Sequence, residues 1–151
     1  MAIRNIIAFS DERFRKKSKE ITAYNTERIN ILLDDMLNTL RAVSGYGCAA
    51  VHVGILKRAV VIDDENGVIE LLNPVTVEQS DEMEQVMEGS ISEGAPRGLV
   101  TRPKRVVVNG YNRKGEPIQV VGEGFLAATL CHEIDHLDGV LFSDKIIKNE
   151  A

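Results

Sequence analysis

The apolar residues Ile29, Leu32, Leu33, Met36, Leu37, Leu40 and Val43 recur at three- and four-residue intervals, the spacing of one helical face. Asn25 or Thr26 can cap its start, because a short oxygen-bearing side chain accepts from the first free backbone amides. The helix should stop near Ser44-Gly45. A second helix is predicted from about Glu123 to Asp138, with Leu126, Leu130, Ile134 and Leu137 on its buried side and Gly139 placed to end it. Between the two, the β-branched runs Ile55–Ile62, Val68–Leu72 and Arg105–Val108 read as strands. Asn112-Arg113-Lys114-Gly115 reads as a hairpin turn into a further strand, Ile118–Val121. Pro74, Pro96, Pro103 and Pro117 all fall at strand ends or in loops, where a missing amide is tolerated. Helix, several strands, then helix predicts an α+β domain with the second helix packed on sheet.

At 151 residues the chain can bury a sizeable core, and no repeat or Pro/Gly/Ser-rich linker divides it. Residues 1–151 are therefore read as one domain. A net charge of -5 without a long basic run argues against a nucleic-acid partner, since phosphate binding needs clustered Lys and Arg. No apolar stretch is long enough to span a bilayer, and the opening Met1-Ala2-Ile3-Arg4 lacks the build of a signal peptide. A soluble, cytoplasmic protein is the expectation. Cys48 and Cys131 make no disulfide framework in a chain of this size. Histidine is scarce: there are three, His52, His132 and His136.

Two of the three stand in His132-Glu133-Ile134-Asp135-His136. Histidines four apart share a helical face, so both can reach one metal ion, and Glu133 can aim at a water on that ion as general base. Zinc or ferrous iron would bring the pKa of such a water towards neutrality. A third ligand is then needed. Downstream, Phe142 stands where one large class of metalloproteases has a third histidine, and Asp144 and Glu150 follow too closely on the helix end. The third ligand should therefore lie upstream, and two segments offer it. One is Gly45-Tyr46-Gly47-Cys48-Ala49-Ala50-Val51-His52; the other is Glu88-Gly89-Ser90-Ile91-Ser92 with the loop Glu93–Gly98 behind it.

In this order the three segments resemble the peptide deformylases, which carry Gly-x-Gly-x-Ala-Ala-x-Gln, then Glu-Gly-Cys-x-Ser, then Gln-His-Glu-x-x-His. The likeness extends to Met1–Lys17, to the helix around Asp34-Asp35-Met36 and to the closing Asp135–Phe142, so it covers nearly the whole chain. It implies antiparallel sheets wrapped around a central metal-binding helix, and one divalent ion, zinc or iron. It also implies hydrolytic removal of formyl from N-terminal formyl-methionine of nascent peptides. The same resemblance places Gly45 and Ile91 where backbone groups hold an extended peptide, with Arg97 on the following loop. The segment after Phe142 is too short for the helix that some members use at the ribosome, so ribosome docking is not expected.

Three positions depart from the family pattern. Its metal-binding cysteine is Ser90 here, its formyl-binding glutamine is His52, and the glutamine before the first histidine is Cys131. A serine hydroxyl is far less acidic than a thiol and a much poorer ligand. His52 offers a repair, either as a third imidazole beside His132 and His136 or as a donor to the substrate carbonyl in glutamine's place. Cys131 is a weaker rescuer, because the residue beside His132 points roughly 100° away around the helix axis. Cys48 reads best as a small buried hydrophobe. The rival to a metal-dependent hydrolase is a catalytically silent relative that binds peptide N-termini or another ligand.

Overall fold

The computed structural model describes residues 2–148. Met1 and Glu150 lie outside the described residues. The first helix, α1, spans Glu27–Ala42 and begins at Thr26, whose hydroxyl accepts from the amide of Ile29. Asn25, the other candidate, has φ 54 instead. Thr26→Ala is expected to cost about 1 kcal/mol, read by urea unfolding. Seven strands follow: β1 Gly47–Ala49, β2 Ala59–Asp64, β3 Gly67–Gln79, β4 Met83–Glu88, β5 Gly98–Pro103, β6 Arg105–Tyr111 and β7 Pro117–Glu123. The second helix, α2, spans Phe125–Leu137.

All strand pairs are antiparallel. Five strands form one sheet in the order β1-β2-β3-β6-β7, and β4 and β5 form a separate ribbon. The interior strand β2, between β1 and β3, explains the apolar run read from sequence. Val60 and Ile62 face the core around α2, whereas Ala59 and Val61 face the core beneath α1. Both faces are buried, so the run is continuous rather than alternating. α2 packs against β1, β2, β7 and β5, which makes it the central helix of an α+β fold. Leu130, Ile134 and Leu137 are buried there as predicted, and Leu126 is partly buried.

The predicted strands exist, with shifted ends. β2 begins at Ala59, because the chain from Ala50 first makes a 3₁₀ turn that Gly54 closes at φ 81. The strand expected at Val68–Leu72 runs on to Gln79, passing Pro74 at a register shift between Leu72 and Val75. An irregularity of that kind tolerates a residue without an amide. The ribbon β4–β5 was not predicted. Gly139 ends α2 as expected: it has φ 73, and a Cβ there would fall 2.6 Å from the Arg15 carbonyl oxygen. No helix among the described residues is long and apolar enough to cross a membrane.

Candidate metal centre

Consecutive turns of α2 carry His132 and His136, and their rings approach with Nε2 atoms 3.2 Å apart. All of His132, Glu133 and His136 are buried. His132 is oriented from behind: its Nδ1–H donates to Glu88 Oε1 at 2.8 Å, at the end of β4. That bond leaves Nε2 bare and aimed at its neighbour, the arrangement in which a carboxylate sets the tautomer of a metal-ligating histidine. Glu88 is fixed in turn by Arg102 of β5, whose Nε and Nη2 donate to the two carboxylate oxygens at 2.7 and 2.8 Å. The third arm of Arg102, Nη1, donates to Asp135 Oδ2 at 2.7 Å. Arg102 is 2% exposed, so this chain of charges is screened little by water.

His52 comes from the 3₁₀ turn Ala50–Val53 that follows β1. Its ring is 1% exposed and sits edge-on to His136, with centroids 4.6 Å apart. Its Nδ1 lies 3.0 Å from the Ala49 amide nitrogen, 3.2 Å from the Ala49 carbonyl oxygen and 3.9 Å from Glu133 Oε1. Ligand atoms of His52, Glu133 and His136 fall within 4.8 Å of one another; His132 is not in that group. All three histidines therefore converge, with His136 in the middle.

Burial sets the electrostatics. Glu133, desolvated and close to the Glu88 charge, is pushed up to about 7, although His132 pulls the other way. His52 is lowered to about 3, first by desolvation and then by His132. His136 falls well below its ordinary value for the same reason, with His52 beside it. His132 goes the other way: burial opposes its charge, but Glu133 and Glu88 outweigh that and raise it. Glu88 is likewise lowered to about 2, because Arg102 and His132 overcome its desolvation.

Two features fit a cation between these side chains. Two imidazole nitrogens face each other at 3.2 Å, where bare lone pairs repel unless a proton or a metal sits between them. In addition, Glu133 Oε1 and His136 Nδ1 are buried without a hydrogen-bond partner. Unsatisfied buried polar atoms are costly and call for an ion, a water or a catalytic role.

The centre opens into a cleft of about 700 Å³. His52, Glu88, Ser90, His132 and Glu133 line it, as do Gly45, Ile91 and Arg97. Every residue proposed from sequence for the site except His136 lines that cleft; His136 lies beneath it, 0% exposed. Arg97 makes no hydrogen bond or ion pair among the described residues. Ser90 Oγ accepts from the amide of Ser92 at 3.0 Å. Neither cysteine lines the cleft: Cys48 is fully buried beneath α1 and Cys131 is partly buried against the α2 core. The residue pattern does not point to Arg102, to Glu88 as the support of His132, or to the contact that Gly47 makes with Glu133. At Gly47 an added Cβ would lie 2.7 Å from Glu133 Oε2 and 3.0 Å from Thr129 Cγ2. That glycine makes room for the carboxylate.

The sequence model of the polypeptide deformylase family matches residues 3–151. Among curated proteins, the peptide deformylase of Acetivibrio thermocellus is 52% identical over 148 residues, covering 98% of this chain and 86% of that protein. That of Caldicellulosiruptor bescii is 47% identical, covering 98% and 88%. Among solved structures, the peptide deformylase of Thermotoga maritima superposes with a TM-score of 0.93 at 34% identity, covering 98% of this chain and 100% of that one. An actinonin-bound class I type b peptide deformylase from Acinetobacter baumannii gives 0.92 at 29%, covering 97% and 100%.

Proposed function

The chain belongs to the peptide deformylase family, and on that premise we propose that its cleft hydrolyses the formyl group from N-terminal formyl-methionine of nascent peptides. The observation that carries this reading is the pair of Nε2 atoms 3.2 Å apart, backed by Glu88 and flanked by Glu133, whose Oε1 has no hydrogen-bond partner. His132 and His136 would hold one divalent ion, zinc or iron. Ser90 and His52 are the two candidates for a third contact. When bound, the ion supplies Lewis acidity and a nucleophile from water at neutral pH.

Glu133 does the proton work. Buried beside the two histidines, with its Oε1 free of any hydrogen-bond partner, it is placed to take a proton from a water and give it back. It removes a proton from the attacking water as the new C–O bond forms at the formyl carbon. It then delivers that proton to the amine as the C–N bond breaks, leaving formate and a free N-terminus. Gly45 and Ile91 lie along the cleft where backbone groups would hold the peptide extended. The unpaired guanidinium of Arg97 is placed to meet substrate carbonyls or a carboxylate. With Glu133 buried and its Oε1 without a hydrogen-bond partner, the silent-binder reading gains no support. The expected setting is the cytoplasm, where nascent chains are made.

The test is formate release from formyl-methionyl peptides beside acetyl-methionyl controls. Formate from the first and no acetate from the second is the expected result. Gly47→Ala is expected to lower kcat about 100-fold with little change in KM, because a misplacement of about 1 Å suffices for that. Steady-state kinetics on the folded variant check it.

A further inference from the structure

His52 and Ser90 are where this chain departs from its family, and their surroundings decide what each can do for the ion. Nδ1 of His52 lies 3.0 Å from the Ala49 amide nitrogen. A backbone amide always carries its hydrogen, so the ring nitrogen facing it must accept. A proton on Nδ1 could reach the Ala49 carbonyl at 3.2 Å, but it would meet the amide hydrogen head on. The neutral ring therefore carries its proton on Nε2. A protonated ring nitrogen has no lone pair for a metal, and Nδ1 is already occupied.

Ser90 is no better placed. Its oxygen accepts from the Ser92 amide at 3.0 Å, and a hydroxyl does not ionise at neutral pH. By contrast, the bond from His132 Nδ1–H to Glu88 leaves that ring's Nε2 free, facing His136. His132, which the tautomer prepares as a ligand, is also the histidine absent from the group that contains His52.

We propose that His52 serves as an Nε2–H hydrogen-bond donor and not as a ligand, so that this chain holds its ion on two imidazoles and exchanges it readily. The inference rests on the deformylase reading for the identity of the ion's site. It makes occupancy, and with it activity, follow the free metal concentration, because a weak site fills only when the ion approaches its Kd. Ser90 marks the position at which a single thiolate would tighten the site.

Zinc affinity, measured by competition with a chromophoric chelator, tests this on the wild type, His52→Gln and Ser90→Cys. The expected results are that H52Q keeps the wild-type affinity within about threefold, whereas S90C binds more tightly by over ~100-fold, beyond what a lost supporting hydrogen bond typically costs. With cobalt, S90C should also show a thiolate charge-transfer band that the wild type lacks. Long-range nitrogen–proton NMR on the wild type reads the His52 tautomer directly, without any variant. A proton on Nδ1, or a tenfold loss of affinity in H52Q, would overturn the proposal. So would an S90C variant no tighter than the wild type. If S90C binds zinc but neither protein releases formate, the deformylase reading fails while the ligand assignment stands.

Discussion

Replacing Glu133 by glutamine is expected to lower kcat for formate release by about 10²–10⁴, the contribution of a positioned general base, while making the metal-free protein more stable. The second effect follows from burial. The carboxyl is 4% exposed and its pKa rises from 4.5 to about 7 on folding. A raised carboxyl pKa means that the folded state binds the proton more tightly than the unfolded chain. Folding therefore costs nothing extra while both states are protonated, below pH 4.5, and the penalty grows between 4.5 and about 7. Above that window it is constant, on the order of 3 kcal/mol, and a neutral glutamine escapes it. Urea unfolding in the presence of chelator should show E133Q gaining on the wild type through this window, and matching it in acid. Equal stability at about pH 8 would mean that the carboxylate has a partner after all.

Arg102→Met should be the most destabilising single change near the site. It removes both bonds to Glu88 and the bond to Asp135, leaving a buried carboxylate without its cation. Stranding one partner of a buried ion pair costs about 3–5 kcal/mol. Because Glu88 holds His132, zinc affinity should also fall by roughly 10–100-fold. Adding Glu88→Gln removes the stranded charge, so the double variant should regain stability without regaining the affinity. Glu88 is lowered to about 2 in the wild type, so its ionised form stabilises the fold above pH 4.5, and that stability is lost as pH falls towards 2. The gap between wild type and R102M should therefore close in acid. A variant as stable as the wild type at neutral pH would show the pair to be dispensable.

Much of this was legible in the residues. The i, i+4 histidines sit on one helix that packs into the sheet, and α1 starts at one of the two caps named for it. Three short motifs scattered over the chain meet in one cleft. The ribbon β4–β5 escaped because its pattern is inverted. Met83 and Met87 face outwards while Glu84 and Glu88 turn inwards, opposite to what apolar alternation predicts. An inward glutamate is stable only because Arg102 stands on the neighbouring strand, and that partnership depends on strand pairing. Nothing local to Arg102 signals it, since a lone arginine before Pro103 reads as a loop. Gly47 escaped for a related reason. Its glycine is required by a carboxylate 86 positions later, a contact that exists only once α2 lies against β1. His52 was found by scarcity, but its tautomer depends on the Ala49 amide and could not be read from residue type.

The most direct measurement is formate release from a formyl-methionyl peptide as zinc or iron is titrated into chelator-stripped protein, with bound ion per chain followed alongside. Formate release rising in step with bound ion and levelling near one ion per chain is the predicted result, with His132→Ala silent throughout. Release that ignores the chelator, or none at full loading of a folded chain, would contradict it.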